Sequence, residues 1–145
     1  MIKIPVIYIG KGNLPEHATP LSAGMDLRAN IASSITLHSL DRKIIPTGLS
    51  IALPQGYEAQ VRPRSGLAAE HGVTVLNSPG TIDADYRGDI GVILVNLSQE
   101  PFTILPEDRI AQLVVTQYSQ VKWVPVQSLP DSVRGTKGFG STGKK

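Results

Sequence analysis

Residues 72–96 read GVTVLNSPGTIDADYRGDIGVILVN, and the rest of the chain is organised around this stretch. Its two apolar runs, residues 73–76 and residues 90–95, are rich in side chains that favour strands. Glycine, proline, asparagine and aspartate separate the two runs. This pattern predicts two strands joined by a turn.

The segment between these strands contains side chains that can orient a small molecule. Asn77 can donate and accept hydrogen bonds, and Tyr86 is a flat ring with a hydroxyl. Asp83 and Asp85 are carboxylates. Polar groups fixed by rigid neighbours determine ligand orientation in small-molecule sites. Because asparagine, aspartate and glycine also favour turns for local backbone reasons, a purely structural role is an equal alternative at this point.

The composition is that of an ordinary globular domain. The chain has 145 residues, of which 41% are hydrophobic and 18% are charged, so one domain with a real core is expected. A net charge of +2 gives no indication of a nucleic-acid surface. The absence of cysteine excludes disulfides, thiol catalysis and zinc sites that require cysteine. We find no signal peptide or membrane span, and expect no membrane partner and a cytoplasmic location.

Short β-favouring runs punctuated by glycine and proline recur along the chain, which predicts an all-β fold: an antiparallel sandwich, a jelly roll or a barrel. The predicted strands are residues 2–9, 24–29, 34–38, 43–52, 57–61, 73–76, 91–97, 102–105, 110–118 and 121–126. Residues 65–70 predict the one short helix, with Ser65 as its N-cap and a stop at His71-Gly72.

The last residues, SVRGTKGFGSTGKK from Ser132, are rich in glycine and poor in apolar side chains. We expect residues 1–131 to form the folded core and residues 132–145 a mobile tail. A disordered terminus and a lid that closes over a ligand are both open. The glycines match the dinucleotide pattern GxGxxG, but no helix can follow them, so we exclude that fold. Their amides could still surround phosphate oxygens.

Three further segments contain polar side chains that could serve either the fold or the binding of a ligand. Asp26 lies in an apolar stretch, where a carboxylate is costly unless it is paired or near a cation. Arg64 and Ser65 open the predicted helix and could bind phosphate, although Arg64 could also be an ordinary surface charge. Arg109 is most simply explained as the partner of an acid, whereas a structural role explains Gln112 less readily.

Five segments of the chain together resemble the five motifs of the trimeric deoxyuridine triphosphatases, the dUTPases, in order and spacing. They are SAGMDLRA, PRSGLA, LNSPGTIDADYRGDI, DRIAQL and RGTKGFGSTG, and the match extends from residue 23, the second residue of the first segment, to residue 143. The third and fifth segments are the most specific. One departure is Lys137, where the family usually has glycine, which bears on how the tail closes.

The resemblance implies a distorted jelly-roll or β-barrel subunit with one short helix and a flexible C-terminal lid. It also implies a homotrimer with shared active sites, in which dUTP is hydrolysed to dUMP and pyrophosphate with Mg²⁺. Such an enzyme would remove dUTP from the nucleotide pool and supply dUMP for dTMP synthesis.

The resemblance further assigns roles to residues of this sequence. Asp83 matches the general base that activates water, and Tyr86 the ring against which the deoxyribose packs. Asn77 matches the amide that recognises uracil, together with backbone of the hairpin at Gly80. Asp26 matches the acid that organises Mg²⁺ through water. The remaining substrate-binding residues are Arg64, Ser65, Gly66 and Gln112 at the phosphates, and Arg134, Phe139, Gly140, Ser141 and Thr142 in the lid, where Phe139 stacks on the base.

The residue types suit this chemistry independently. Hydrolysis between the α- and β-phosphates needs an oriented water and charge neutralisation, with little covalent help. Asp85 is left as a structural residue or an ion-pair partner. Two alternatives remain: a relative of the dCTP deaminases, which share the fold, and a deoxynucleotide-binding module without hydrolysis. The zinc-dependent deaminases are excluded because their signature contains cysteine.

Overall fold

A computed structural model describes residues 1–138, in which the chain forms short strands and one helix. The strands are β1 (Val6–Tyr8), β2 (Met25–Arg28), β3 (Ile35–Leu37), β4 (Arg42–Pro46), β5 (Leu49–Ile51), β6 (Tyr57–Arg62), β7 (Val73–Val75), β8 (Gly80–Ile82), β9 (Gly91–Asn96), β10 (Phe102–Ile104) and β11 (Arg109–Gln117). Helix α1 (Ser65–His71) follows β6. The predicted all-β architecture with one short helix is confirmed.

The strands form four antiparallel sheets. The largest has the order β2-β11-β6-β8, and a three-stranded sheet has the order β4-β9-β7. The pairs β1-β5 and β10-β3 complete the structure. Because β11 lies between β2 and β6, the C-terminal strand joins elements from the first half of the chain.

The core lies between the inner faces of these sheets. Along β11, Ala111 and Leu113 are buried whereas Gln112 between them is only partly covered. Strand β6 alternates in the same way, with Ala59 and Val61 buried. Successive strand side chains point to opposite faces, so the other face of this sheet presents polar groups outward.

The two strands predicted from residues 72–96 do pair. In the antiparallel pair of β7 and β9, Val73 lies opposite Asn96 and Val75 opposite Leu94. The connection between them is more than a turn, because it contains β8, which pairs with β6 in the other sheet. The polar segment around Asp83 is therefore attached to both sheets.

Several predicted element boundaries are wrong. The strand predicted at residues 43–52 is two strands, separated where Gly48 adopts φ +72° and the Thr47 hydroxyl donates to the Ile90 carbonyl at 2.7 Å. Ser65 is the first residue of α1 rather than its N-cap: the extended residue Arg64 occupies that position without a side-chain capping bond. The predicted end of the helix is confirmed, at Gly72 with φ +64°.

The predicted strand at residues 121–126 is also absent from the part of the chain described. Residues 118–133, which we call the C-terminal arm, contain no regular secondary structure. The arm nevertheless has many exposed apolar side chains, and Trp123 is 86% exposed. These are Tyr118, Val121, Trp123, Val124, Val126, Leu129 and Val133.

As for membrane spans, α1 has only 7 residues, and no helix within residues 1–138 could cross a bilayer.

Candidate active site

Asp26 lies between two arginines on the outer face of the four-stranded sheet. Its Oδ1 is 3.3 Å from Nε of Arg64, and its Oδ2 is 3.3 Å from Nη1 of Arg109. Arg64 also donates from Nη1 to the backbone carbonyl of Arg109 at 3.2 Å. The contact at Oδ1 is ionic, without hydrogen-bond geometry. We call Asp26, Arg64 and Arg109 the arginine cluster. The predicted need of Asp26 for a cationic partner is confirmed, and Arg64 is not a free surface charge.

Gln112 lies beside this cluster because of strand pairing. In the sheet it is opposite Asp26 on one side and Arg62 on the other. Its side chain packs over Gly24, where an added Cβ would be 3.4 Å from the Gln112 Cβ. The partly covered amide therefore lies on the same outer face as the Asp26 carboxylate.

Ser65 and Gly66 follow Arg64 at the beginning of α1. Ser65 is exposed. A Cβ added at Gly66 would meet nothing within 4 Å, so the space beside this backbone is open. The arginine cluster, Gln112 and this open corner together form a cationic and hydrogen-bonding surface that suits an anion.

The second group of predicted site residues lies on the loop around β8. A Cβ at Gly80 would be 3.2 Å from Nδ2 of Asn77, so glycine allows the amide to lie close to the strand. Asp83 is exposed, and its carbonyl accepts a hydrogen bond from the Tyr86 backbone NH at 3.2 Å. The Tyr86 hydroxyl donates to the Asp89 carbonyl at 3.0 Å, which fixes a ring that is 45% exposed.

Arg87 stabilises the same loop by donating from Nη1 to the carbonyls of Ala84 and Tyr86 at 2.6 and 2.8 Å. Asp85 is exposed and makes no ion pair within residues 1–138. An open cleft of about 530 Å³ lies beside this loop. It is lined by Leu53, Gln55, Asp83, Ala84, Asp85, Arg87, Tyr118 and Gln120.

Within one chain, Asp83 lies apart from the arginine cluster. The antiparallel register of β6 and β8 puts Asp83 at the level of Glu58, whereas Arg62 lies opposite Gln112, two residues before Arg64. Four residues at ~3.3 Å each separate the levels of Glu58 and Arg62 by about 13 Å. Asp83 and the arginine cluster are therefore at opposite ends of β6.

The predicted lid residues lie mostly outside the described part of the chain. Of these residues only Arg134 is described, and its Nε donates to the Lys137 carbonyl at 2.9 Å. A turn at Gly135, with φ +56°, brings those two residues together. Phe139, Gly140, Ser141 and Thr142 belong to the undescribed residues 139–145.

Arg109 belongs to this site, although its sequence context predicts only a charge partner for an acid. In the sequence, Arg109 and Gln112 are three residues apart. Regular alternation would place them on opposite faces of a strand, so nothing in the local sequence indicated that both face outward.

The donor atoms allow a limited role for Mg²⁺. Within residues 1–138 there is no group of three His, Cys, Asp or Glu side chains arranged to hold a metal. Both oxygens of Asp26 face guanidinium groups, which disfavours direct ligation but leaves the carboxylate able to accept hydrogen bonds from metal-bound water. Because Mg²⁺ retains several waters and binds phosphates, these residues fit an ion bound mainly by a polyphosphate.

Comparison with known proteins agrees with this arrangement of motifs. The sequence profile of the dUTPase family matches residues 11–143. The chain belongs to the dUTPase family. A deoxyuridine 5'-triphosphate nucleotidohydrolase of Fusobacterium nucleatum is 54% identical over 143 residues, covering 99% of this chain and 98% of the relative. One from Cytophaga hutchinsonii is 57% identical over 141 residues, with coverages of 96% and 92%.

Solved dUTPase structures share the fold. A mutant dUTPase of Staphylococcus bacteriophage 80alpha with dUpNHpp has a TM-score of 0.88 at 24% identity, covering 99% of each chain. A mutant dUTPase from phage phi11 of S. aureus, which coordinates a structural Mg(II) ion, has a TM-score of 0.79 at 20% identity. Its alignment covers 90% of this chain and 100% of the phage chain. The predicted jelly-roll subunit is thereby confirmed.

Proposed function

We propose that this dUTPase-family protein hydrolyses dUTP to dUMP and pyrophosphate through water activated by Asp83. The observation that supports it best is a division of polar groups between two surfaces. The β8 loop offers an amide, a carboxylate and an anchored ring, whereas the arginine cluster offers cations and Gln112. These surfaces complement the two ends of a nucleoside triphosphate, and relatives that are 54% and 57% identical in sequence are named deoxyuridine 5'-triphosphate nucleotidohydrolase.

Asp83 is proposed as the general base. Its carboxylate is exposed at the end of β8, and β8 is anchored by its pairing with β6. The water would lose its proton to Asp83 as its oxygen attacks the α-phosphate and pyrophosphate leaves. A positioned base contributes about 10²- to 10⁴-fold to such a step.

The loop around β8 is proposed to select deoxyuridine. The Asn77 amide and nearby backbone at Gly80 would pair with the uracil edge, where cytosine exchanges donors and acceptors and would leave buried groups unpaired. Thymine would be refused by steric contact at its methyl group. The ring of Tyr86, fixed by its bond to Asp89, would crowd a ribose 2'-hydroxyl.

The phosphate chain is proposed to lie against Arg64, Ser65, Gly66 and Gln112. Two guanidinium groups surround the one carboxylate of Asp26, so the arginine cluster has a formal excess of positive charge. When bound, Mg²⁺ would neutralise further phosphate charge, with Asp26 accepting hydrogen bonds from its waters. Arg64 and Gln112 would then orient the phosphates relative to Asp83.

A homotrimer with shared sites is proposed to join the two surfaces. Asp83 and the arginine cluster are at opposite ends of β6, so one chain alone does not form a complete site. The exposed apolar side chains of the C-terminal arm also favour burial against another copy. A groove of about 460 Å³, lined by N-terminal residues such as Ile2, Ile4 and Val6, is suitably apolar.

The tail, residues 132–145, is proposed as the lid, with Arg134, Ser141 and Thr142 at the outer phosphates and Phe139 on the base. The family match reaches residue 143 and so includes this segment. Arg134 would exchange its bond to the Lys137 carbonyl for phosphate contacts. Removal of dUTP and supply of dUMP in the cytoplasm are the proposed cellular roles.

Pyrophosphate release from each deoxynucleoside triphosphate and from UTP tests the proposal. We expect release from dUTP alone, a loss of about 10²- to 10⁴-fold in Asp83→Asn, and low activity in a chain ending at Asp131. Asp85→Asn is the matched control, because it removes an exposed carboxylate from the same loop and should remain active.

Three outcomes would contradict this function. Equal hydrolysis of UTP or dTTP would contradict the proposed pocket. Ammonia release from dCTP would favour the deaminase alternative. Tight binding of dUTP without pyrophosphate release would favour a binding module.

A further inference from the structure

Strand β11 contains a β-bulge where it leaves the arginine cluster. Its partner strand β2 pairs Arg28 with Arg109 and the next residue, Leu27, with Ala111. Ile110 is thus an extra residue between two pairs. A bulge of this kind changes the direction of the side chains around it and is frequent beside active sites.

This bulge determines where Arg109 points. Without it, Arg109 and Gln112 would be on opposite faces, because they are three residues apart. With the extra residue, Ile110 is 1% exposed and packs in the core, while Arg109 reaches the outer face. The Arg109 side chain is 51% exposed, and its guanidinium contacts Oδ2 of Asp26.

Arg109 therefore competes with Arg64 for one carboxylate. Arg64 contacts only Oδ1, through Nε, and its Nη1 is directed to the carbonyl of Arg109. A carboxylate with both oxygens available tends to form a bidentate pair with one guanidinium. In the absence of the Arg109 side chain, Asp26 and Arg64 could form that pair, and the cluster would lose its excess positive charge.

We infer that Arg109 is a positioning residue for the phosphate chain: it occupies Oδ2 of Asp26, prevents a bidentate pair between Asp26 and Arg64, and so leaves part of the Arg64 guanidinium available to phosphate. The inference rests on the proposed function, in which Arg64 lies against the triphosphate. Arg109 acts through Asp26 and requires no contact with the substrate. The β-bulge at Ile110 is the backbone feature that makes this arrangement available.

Calorimetric binding of inorganic tripolyphosphate in EDTA tests the inference without metal and without catalysis. Arg109→Gln should weaken binding by about tenfold or more, the scale of one charge-assisted hydrogen bond. Arg109→Lys should recover much of the affinity, since an ammonium group can also occupy Oδ2. If Arg109→Gln fails to fold, the affinity of Arg109→Lys for tripolyphosphate still tests the inference.

Arg28→Gln is the matched control. Arg28 lies opposite Arg109 in the same strand pair, but its Nη1 donates to the Glu107 carbonyl at 3.0 Å instead of joining the cluster. Its loss removes the same charge and should change tripolyphosphate binding less than twofold. Equal weakening by Arg28→Gln and Arg109→Gln, or no weakening by Arg109→Gln, would overturn the inference.

Asp26→Asn distinguishes action through Asp26 from direct contact with phosphate. If Arg109 acts through the carboxylate, Arg109→Gln should have little further effect in an Asp26→Asn background. A full tenfold loss in that background would overturn the positioning role. Deoxyuridine binding, followed by NMR, should be unchanged in the Arg109 variants, which a general disruption of the fold would not allow.

Failure of this inference is separate from failure of the proposed function. If the unaltered protein releases no pyrophosphate from dUTP, the function is wrong. If it does, and Arg109→Gln binds tripolyphosphate and hydrolyses dUTP with an unchanged KM, the function stands and the role of Arg109 is wrong.

Discussion

At the scale of single residues, Tyr86 combines two separable properties. Its hydroxyl anchors the ring by donating to the Asp89 carbonyl, and its ring forms the exposed surface proposed to exclude ribose. Tyr86→Phe should keep the selectivity for dUTP over UTP and lower the free energy of unfolding by about 0.5–1.5 kcal/mol. Tyr86→Ala should lose selectivity. The ratio of kcat/KM for the two nucleotides checks this, and equal ratios in both variants would contradict the role of the ring.

The site residues were predicted from sequence to different extents. Asn77, Asp83 and Tyr86 lie within one loop, so their proximity follows from the chain itself. The contact between Arg109 and Asp26 joins residues 83 positions apart. It depends on pairing between β2 and β11 and on a bulge, neither of which a local pattern of apolar residues encodes. The lid residues 139–145 remain predictions.

At the scale of secondary-structure elements, Gly72 ends α1 and begins the turn into β7. It has φ +64°, and a Cβ there would be 3.0 Å from the Ser98 Cβ and 3.2 Å from the Ser98 backbone nitrogen. Gly56, with φ +84°, is the matched control because a Cβ there meets nothing within 4 Å. Gly56→Ala should cost about 1–2 kcal/mol from the backbone conformation alone.

Gly72→Ala should cost about 1–3 kcal/mol more than the control, because backbone near Ser98 must move to accommodate the methyl group. Urea unfolding of both variants measures the difference. Equal losses of unfolding free energy in the two variants would show that the backbone near Ser98 moves without measurable cost.

Element boundaries show which local signals suffice. The apolar runs that form β7 and β9 were predicted from their β-favouring side chains, and the pairing of the two strands confirms them. Residues 43–52 were predicted as one strand because their β-favouring side chains continue across the break, where the Thr47 hydroxyl and the positive φ of Gly48 divide β4 from β5. Residues 121–126 have the composition of a strand but no partner strand within the described chain.

At the scale of the whole molecule, shared sites make a prediction about mixtures. Asp83→Asn subunits should be nearly inactive for lack of the base, and Arg64→Gln subunits for lack of the phosphate contact. If each site combines the loop of one subunit with the arginine cluster of another, a mixed trimer contains one intact site. Random assembly of equal amounts should then restore about a quarter of the wild-type activity.

Co-expression of the two variants with different affinity tags, followed by pyrophosphate release from the purified mixture, measures this recovery. Asp83→Asn mixed with Asp83→Ala is the matched control: both changes remove the base from the same loop, so no combination of subunits restores an intact one. Recovery in the first mixture and none in the second requires the two ends of β6 to serve different sites. If a demonstrated mixed trimer recovers no activity, each site would have to form within one subunit. The chain would then have to rearrange when dUTP binds, because Asp83 and the arginine cluster are separated along β6.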